Sequence, residues 1–169
     1  WNQAMMFDVP ENLNTDILKK SIEYLIDHHD ALRLRFEKRE GSWNAFVDEH
    51  AEVNAFTSIE LTSSSSNEME SMVEAKSIEL QTNLDLYKSG LFQTLFFKSV
   101  FGNQHKMLLI AHHLVVDNIS WQILVSDIET IYGKLIRGEE IVLSPKTTSY
   151  YKWGNQLVEF SNSGEFDDE

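Results

Sequence analysis

Two adjacent histidines, His112 and His113, follow a run of apolar residues, and Asp117 comes four residues after the second histidine. An unperturbed imidazole has a pKa of about 6.5, so a histidine can accept and return a proton near neutral pH. Strand ends that precede helices are also where ligands bind α/β sheets. A hydrogen-bonded pair of core histidines is the plainer alternative. The nearby carboxylate and the strand-to-helix position favour acid–base chemistry.

The pattern around this pair argues against a metal site. Neighbouring side chains of an extended strand point to opposite faces, so the two imidazoles are not expected to share one ion. No HExxH-type spacing adds further ligands. Asp117 is left with two roles: orienting a histidine, or capping the next helix and holding an arginine, for which Arg33 and Arg35 are candidates. Ser120 lacks a GxSxG context and is interpreted as a helix-start residue.

Hydrophobic periodicity predicts the elements that must position these residues. Strands and helices alternate as β-α-β-β-(β)-α-β-β-α-α, which predicts an α/β (α+β) fold with helices packed on a mixed sheet. The predicted strands cover 2–9, 31–40, 43–49, 54–61, 91–101 and 107–111. The predicted helices begin at Asn14 or Thr15, at residue 67, after Asp117 and near Ser149. Ser65 with Glu68 three residues later predicts a capping box at the start of the second helix.

Composition excludes several classes of function. The 169 residues carry a net charge of −13, which argues against a nucleic-acid surface. No apolar run approaches the roughly 18 residues of a membrane span, and no signal peptide is recognised at the start. Because the sequence does not begin with Met, its first residues are expected to lie inside a longer chain. The chain has no cysteine, which excludes thiolate metal sites and fits a cytoplasmic location.

Several stretches resemble one known family, in the order that the family has them. The stretch 112-HHLVVDNISW-121 resembles the HHxxxDG signature of the nonribosomal peptide synthetase condensation superfamily. The stretch 28-HHDALRLRF-36 is similar to its RHExLRTxF-type motif, and 84-LDLYKSGLF-92 to its LDLxxGPL-type segment. The opening WNQ also resembles the start of these domains after their first helix. Within the superfamily, Trp121 and 146-KTTSYYKW-153 resemble the epimerization branch more than condensation domains proper.

The resemblance implies a fold and a set of residue roles. The fold would be one half of a two-lobed, chloramphenicol acetyltransferase-like domain, with residues 1–160 as its N-terminal lobe and residues 161–169 as an acidic exit linker. His113 would be the general acid/base and His112 its support. Asp117 would be structural and paired with Arg33.

Three further residues are assigned to the turn and the carrier arm by the same resemblance. These are Asn118, Ser120 and Trp121. Asn118 stands where the family has glycine, a residue suited to a left-handed turn or to close backbone approach. Its side chain is expected near the entrance for the carrier arm.

The implied activity interconverts the L and D configurations at Cα of an aminoacyl or peptidyl thioester. The substrate would arrive on the 4'-phosphopantetheine of a peptidyl carrier protein, and the lobe itself would bind no cofactor. The expected partners are that carrier, the C-terminal lobe, which supplies a glutamate, and neighbouring synthetase modules, but neither nucleic acid nor membrane. The alternatives are a condensation domain that forms an amide, a non-catalytic carrier-binding module and, more distantly, an acyl-CoA transferase.

Overall fold

A computed structural model describes residues 1–49, 54–87, 90–101 and 104–164. Its elements follow the predicted order. The strands are β1 (Asn2–Val9), β2 (Leu34–Arg39), β3 (Ser42–Val47), β4 (Phe56–Leu61), β5 (Phe92–Ser99) and β6 (His105–His112). The helices are α1 (Thr15–His28), α2 (Ser66–Asn83), α3 (Asn118–Arg137) and α4 (Tyr150–Ser161).

The main sheet has four strands in the order β1-β6-β5-β4, and β2 with β3 forms a separate hairpin. β1 pairs with β6 and β6 with β5 in antiparallel fashion, whereas β4 and β5 run parallel. The sheet is therefore mixed, as predicted. β1 is an edge strand, and its register places Asn2 opposite His112.

Both faces of the main sheet are covered, which explains the continuous apolar run in β6. Leu109 and Ala111 pack into the cluster that includes α1 and α3. Leu108 and Ile110 point the other way and pack with Met69 of α2. A strand buried on both faces needs apolar side chains at every position, so it loses the alternation of a half-exposed strand.

The structure corrects two local predictions. Residues 31–40 do not form one strand, because a 3-10 turn over Asp30–Arg33 precedes β2. An ion pair between Asp30 and Arg33, three residues apart, spans this turn. Ser65 precedes α2 as its N-cap but makes no capping hydrogen bond with its side chain, so the expected capping box with Glu68 is absent.

The end of the described chain is helical for longer than predicted. α4 continues to Ser161, one residue into the predicted linker. Residues 165–169 of that linker lie outside the described residues. No helix in the described part of the chain is long and apolar enough to cross a membrane.

Candidate active site

The two histidines lie where β6 gives way to a turn. His112 is the last residue of β6, and its backbone N–H donates to the Leu91 carbonyl at 2.8 Å. His113 begins the turn, and its backbone N–H donates to the Trp1 carbonyl at 3.0 Å. The strand therefore does not continue through the pair, and the turn lets the two rings meet different surroundings.

The ring of His113 is exposed on the side of β1. Its Nδ1 lies 2.9 Å from the Val116 carbonyl oxygen. A carbonyl only accepts, so this contact places a proton on Nδ1. The other ring nitrogen, Nε2, lies 3.3 Å from the side-chain amide nitrogen of Gln3. When the ring is neutral, a proton on Nδ1 leaves the lone pair on Nε2.

His112 holds the turn instead of facing the same surroundings. Its half-buried ring accepts a hydrogen bond at Nδ1 from the backbone N–H of Leu114, at 3.2 Å. Burial lowers the pKa of His112 because it disfavours the charged imidazolium. A neutral ring is also what the Leu114 contact requires, since a protonated Nδ1 could not accept.

Asp117 caps α3. Its Oδ1 accepts from the backbone N–H of Ser120 at 2.7 Å and from the Ser120 hydroxyl at 2.6 Å. Those hydrogen bonds lower the pKa of Asp117, the hydroxyl contributing most. Among the described residues, no hydrogen bond or ion pair joins Asp117 to His112 or His113. Of its two expected roles, the structure favours the cap.

The prediction that Asp117 pairs with Arg33 is wrong. The Nη2 of Arg33 donates to Asp30 at 2.7 Å, and the Nζ of Lys146 donates to the same carboxylate oxygen at 2.9 Å. Arg33 finds its partner three residues earlier in the 3-10 turn, while Asp117 is occupied by Ser120. Burial by itself raises the pKa of Asp30. The combined effect of Lys146 and Arg33 is larger and opposite, so the pKa of Asp30 lies below its ordinary value.

Asn118 does not occupy a left-handed turn. It is the first residue of α3, and Glu40 is the one non-glycine residue with positive φ in the described chain. The expected need for glycine-like freedom is therefore absent, because a first helical residue has ordinary backbone angles. Asn118 is exposed and borders an open concavity of about 860 Å³ between β1 and α3, together with Gln3 and Trp121.

Trp121 connects α3 to the edge strand. Its side chain is only 5% exposed, and its indole Nε1–H donates to the Gln3 amide oxygen at 2.7 Å. The sequence does not single out Gln3 as a site residue, although Gln3 belongs to the family-like WNQ opening. Only the β1–β6 register reveals its position, because it sets Gln3 opposite Ala111, two residues before His113.

A second cluster of titratable side chains lines another cavity, of about 430 Å³. His28, His29 and Asp127 offer ligand atoms within 4.8 Å of one another and could hold a metal ion, which the sequence did not lead us to expect. His29 Nε2 already lies 2.8 Å from Asp127, so the two groups satisfy each other without an ion. Burial lowers the pKa of His29 despite that carboxylate.

The capping role of Asp117 gives a prediction that separates it from a triad role. We expect Asp117→Ala to lower the free energy of unfolding by about 1 kcal/mol, the usual loss for an N-cap. Asp117→Asn retains a capping oxygen and should keep most of that stability and of the activity. Denaturant titration and an activity assay check this. A large loss of activity in Asp117→Asn at unchanged stability would instead favour a catalytic charge.

Comparison with known proteins places the chain in a family. The family model for the condensation domain matches residues 1–169. The chain is 35% identical over 164 residues to a linear gramicidin synthase protein of Brevibacillus parabrevis, and 30% identical over 170 residues to tyrocidine synthase 1 of the same organism. These matches cover 96% and 98% of the chain, but only 2% and 15% of the two relatives.

Solved structures agree with this placement. The epimerization domain from the third module of tyrocidine synthetase B superposes with a TM-score of 0.88 and 29% identity. The superposition covers 98% of this chain and 37% of that one. The starter condensation domain of rhizomide synthetase has a TM-score of 0.80 at 16% identity, over 97% of this chain and 40% of that one. The predicted superfamily and fold class are thereby confirmed.

Proposed function

The chain belongs to the condensation-domain family, and from that premise we propose that residues 1–160 are the N-terminal lobe of an epimerization domain in a nonribosomal peptide synthetase. The observation that carries the proposal is the exposed His113 at a strand-to-turn junction, whose Nδ1 contacts the Val116 carbonyl and so leaves Nε2 as the nitrogen that can accept a proton. The 29% identity to a solved epimerization domain and the 146-KTTSYYKW-153 stretch support the epimerization branch.

The proposed substrate is an aminoacyl or peptidyl thioester on the 4'-phosphopantetheine of a peptidyl carrier protein. The thioester acidifies the α-hydrogen, because the carbonyl takes up the charge left at Cα. His113 Nε2 accepts that proton and becomes an imidazolium. A proton delivered to the opposite face of Cα then gives the inverted configuration.

Inversion by this route needs groups on both faces of Cα. His113 serves one face, and an acidic residue of the C-terminal lobe is proposed for the other. We therefore expect the 169-residue lobe by itself to be inactive. His112 supports the turn, and Asn118, Ser120 and Trp121 border the approach of the carrier arm in this proposal. The lobe itself is proposed to bind no cofactor.

Exposed apolar side chains on α3 and α4 support a partner lobe. Ile119 is 69% exposed and Tyr150 is 71% exposed, and α4 has no buried residue. Large apolar side chains exposed along a helix often mark a surface that another part of the assembly covers. The proposed partners are the C-terminal lobe of the same domain, the carrier protein and neighbouring synthetase modules, in a cytoplasmic enzyme.

A condensation domain is the second candidate, because the matching family model is that of the condensation domain and the same histidine would serve it. Here His113 would accept a proton from the amine of an acceptor as that amine attacks a donor thioester. The thiol of the donor arm would leave, and an amide would form. Both reactions use one base at Nε2, so the product must distinguish them.

The two candidates predict different products from one experiment. The complete domain is supplied with an L-aminoacyl carrier as donor and a second aminoacyl carrier as acceptor. We expect the donor residue to be recovered with unchanged mass and partly as the D form. Chiral chromatography and mass spectrometry of the released products provide the measurement. A dipeptide on the acceptor carrier without D residue would instead establish condensation.

A further inference from the structure

We propose that Gln3 is a positioning residue that, together with the Val116 carbonyl, sets the tautomer of His113. The amide of Gln3 holds the lone pair of the histidine at Nε2 and the proton at Nδ1, and Trp121 fixes the direction of that amide. This inference rests on the proposed function for its catalytic meaning, but its geometry does not depend on any substrate.

The first step is the orientation of the Gln3 side chain. Indole Nε1–H is a donor without any acceptor capacity, so the atom of Gln3 that it meets at 2.7 Å must be the amide oxygen. Trp121 is buried, so water does not compete freely for this contact. The amide nitrogen of Gln3 therefore faces the other way, towards His113.

The two neighbours of the His113 ring determine which of its nitrogens carries the proton. The amide nitrogen of Gln3 only donates, so the Nε2 of His113 at 3.3 Å must contribute a lone pair. At the other end of the ring, the Val116 carbonyl at 2.9 Å requires a proton on Nδ1. Both neighbours select the same neutral tautomer, and an imidazolium would point an N–H at the donors of Gln3.

The consequence is a base that is ready at one defined atom. The contact from Gln3 to Nε2 is longer than the usual 2.9–3.0 Å, so an arriving substrate can displace it readily. Gln3 lies on edge strand β1 and Trp121 on α3, so the contact joins two elements that are distant in sequence. Gln3 acts through His113 and has no part in the bond changes.

Chemical modification of the full-length protein tests this assignment without any substrate. Diethyl pyrocarbonate acylates the unprotonated ring nitrogen of histidine, releasing carbon dioxide and ethanol. The rate at His113 is followed by peptide mass spectrometry between pH 6 and 8, with fragment ions separating it from His112. Three variants are compared with the parent protein: Gln3→Glu, Gln3→Met and, as a matched control for charge, Gln104→Glu at an exposed position just before β6.

The two substitutions of Gln3 are expected to change the modification rate of His113 in opposite directions. In Gln3→Glu, one carboxylate oxygen still accepts from Trp121 and the other favours a proton on Nε2, so modification at neutral pH should slow by about fivefold. In Gln3→Met, the Val116 carbonyl still holds the proton on Nδ1, while the lone pair on Nε2 loses the donor that occupies it. Modification should therefore be about threefold faster. Gln104→Glu should match the parent.

If Gln3 had a merely structural role, or if the variants unfolded, the modification rate of His113 would change in the same direction in both variants. Either result would overturn the assignment. So would a Gln3→Glu rate that matches Gln104→Glu. The readout is also separate from catalysis. If the complete domain proves to have no epimerase activity while these opposite shifts are seen, the proposed function fails and the tautomer assignment stands.

Discussion

Replacing His113 with alanine is expected to reduce α-hydrogen exchange on a carrier-bound thioester by at least about two orders of magnitude in the complete domain. A positioned general acid or base contributes about 10²- to 10⁴-fold to a rate. In this structure the Nε2 of His113 faces Gln3 of β1, whereas His112 is held by the turn. The measurement is the rate of solvent deuterium incorporation into the released amino acid.

The matched control is the neighbouring histidine. His112→Asn places an amide oxygen near the position of the acceptor nitrogen, so it can still receive the Leu114 N–H. Its loss of exchange should be far smaller than that of His113→Ala. Equal losses in the two variants, with both proteins folded, would contradict the unequal roles of the pair.

Replacing Asp30 with alanine is expected to lower the free energy of unfolding by about 2 kcal/mol. Breaking a buried ion pair costs about 3–5 kcal/mol because one charge is left without compensation. The Arg33 side chain is 12% exposed, and its Nη2 lies 2.7 Å from Asp30. Within the described part of the chain, its Nε has no hydrogen-bond partner. The Asp30 side chain is 32% exposed, so solvent screening reduces the expected loss.

Asp8→Ala is the matched control for that prediction. Asp8 also forms a 2.8 Å ion pair, with Lys106, but both side chains are well exposed. Such a pair contributes about 0–1 kcal/mol. Chemical denaturation of the three proteins gives the comparison. If Asp30→Ala loses no more stability than Asp8→Ala, the Arg33–Asp30–Lys146 group has little structural weight.

The contribution of Asp30 should also depend on pH in a defined direction. The two cations hold its folded-state pKa below the ordinary value of 3.8. Its stabilisation is therefore complete above that value and is lost as the pH falls below it through the folded-state pKa. The stability gap between the parent protein and Asp30→Asn should be constant near neutral pH and should narrow in acid.

The order of the elements could be predicted from local pattern because each element carries its own signal. The helical spacing of apolar residues in α1 and α3 and the apolar run of β6 are readable within one segment. The cap of α1 by Asn14 and the turn after α3 at Gly138 are local as well. The unequal roles expected for His112 and His113 came from the family motif, and they remain a prediction that the mutants test.

The contacts that complete the site were not predictable because they join distant parts of the chain. Gln3 meets Trp121 118 residues later, and Lys146 meets Asp30 116 residues earlier. Neither spacing has a pattern in the sequence. The error over Arg33 has a different origin, because its partner Asp30 lies only three residues away. The pair forms because a 3-10 turn over Asp30–Arg33 replaces the start of the predicted strand.

Deuterium exchange with stereochemical analysis tests most directly whether this lobe supplies the base of an epimerization reaction. The complete domain is incubated in D₂O with a carrier bearing an L-aminoacyl thioester, and the released amino acid is resolved by chirality and mass. If this lobe supplies the base, the released product is D-amino acid that carries one deuterium at Cα. An L-amino acid that remains undeuterated throughout, with an intact domain and a loaded carrier, would contradict it.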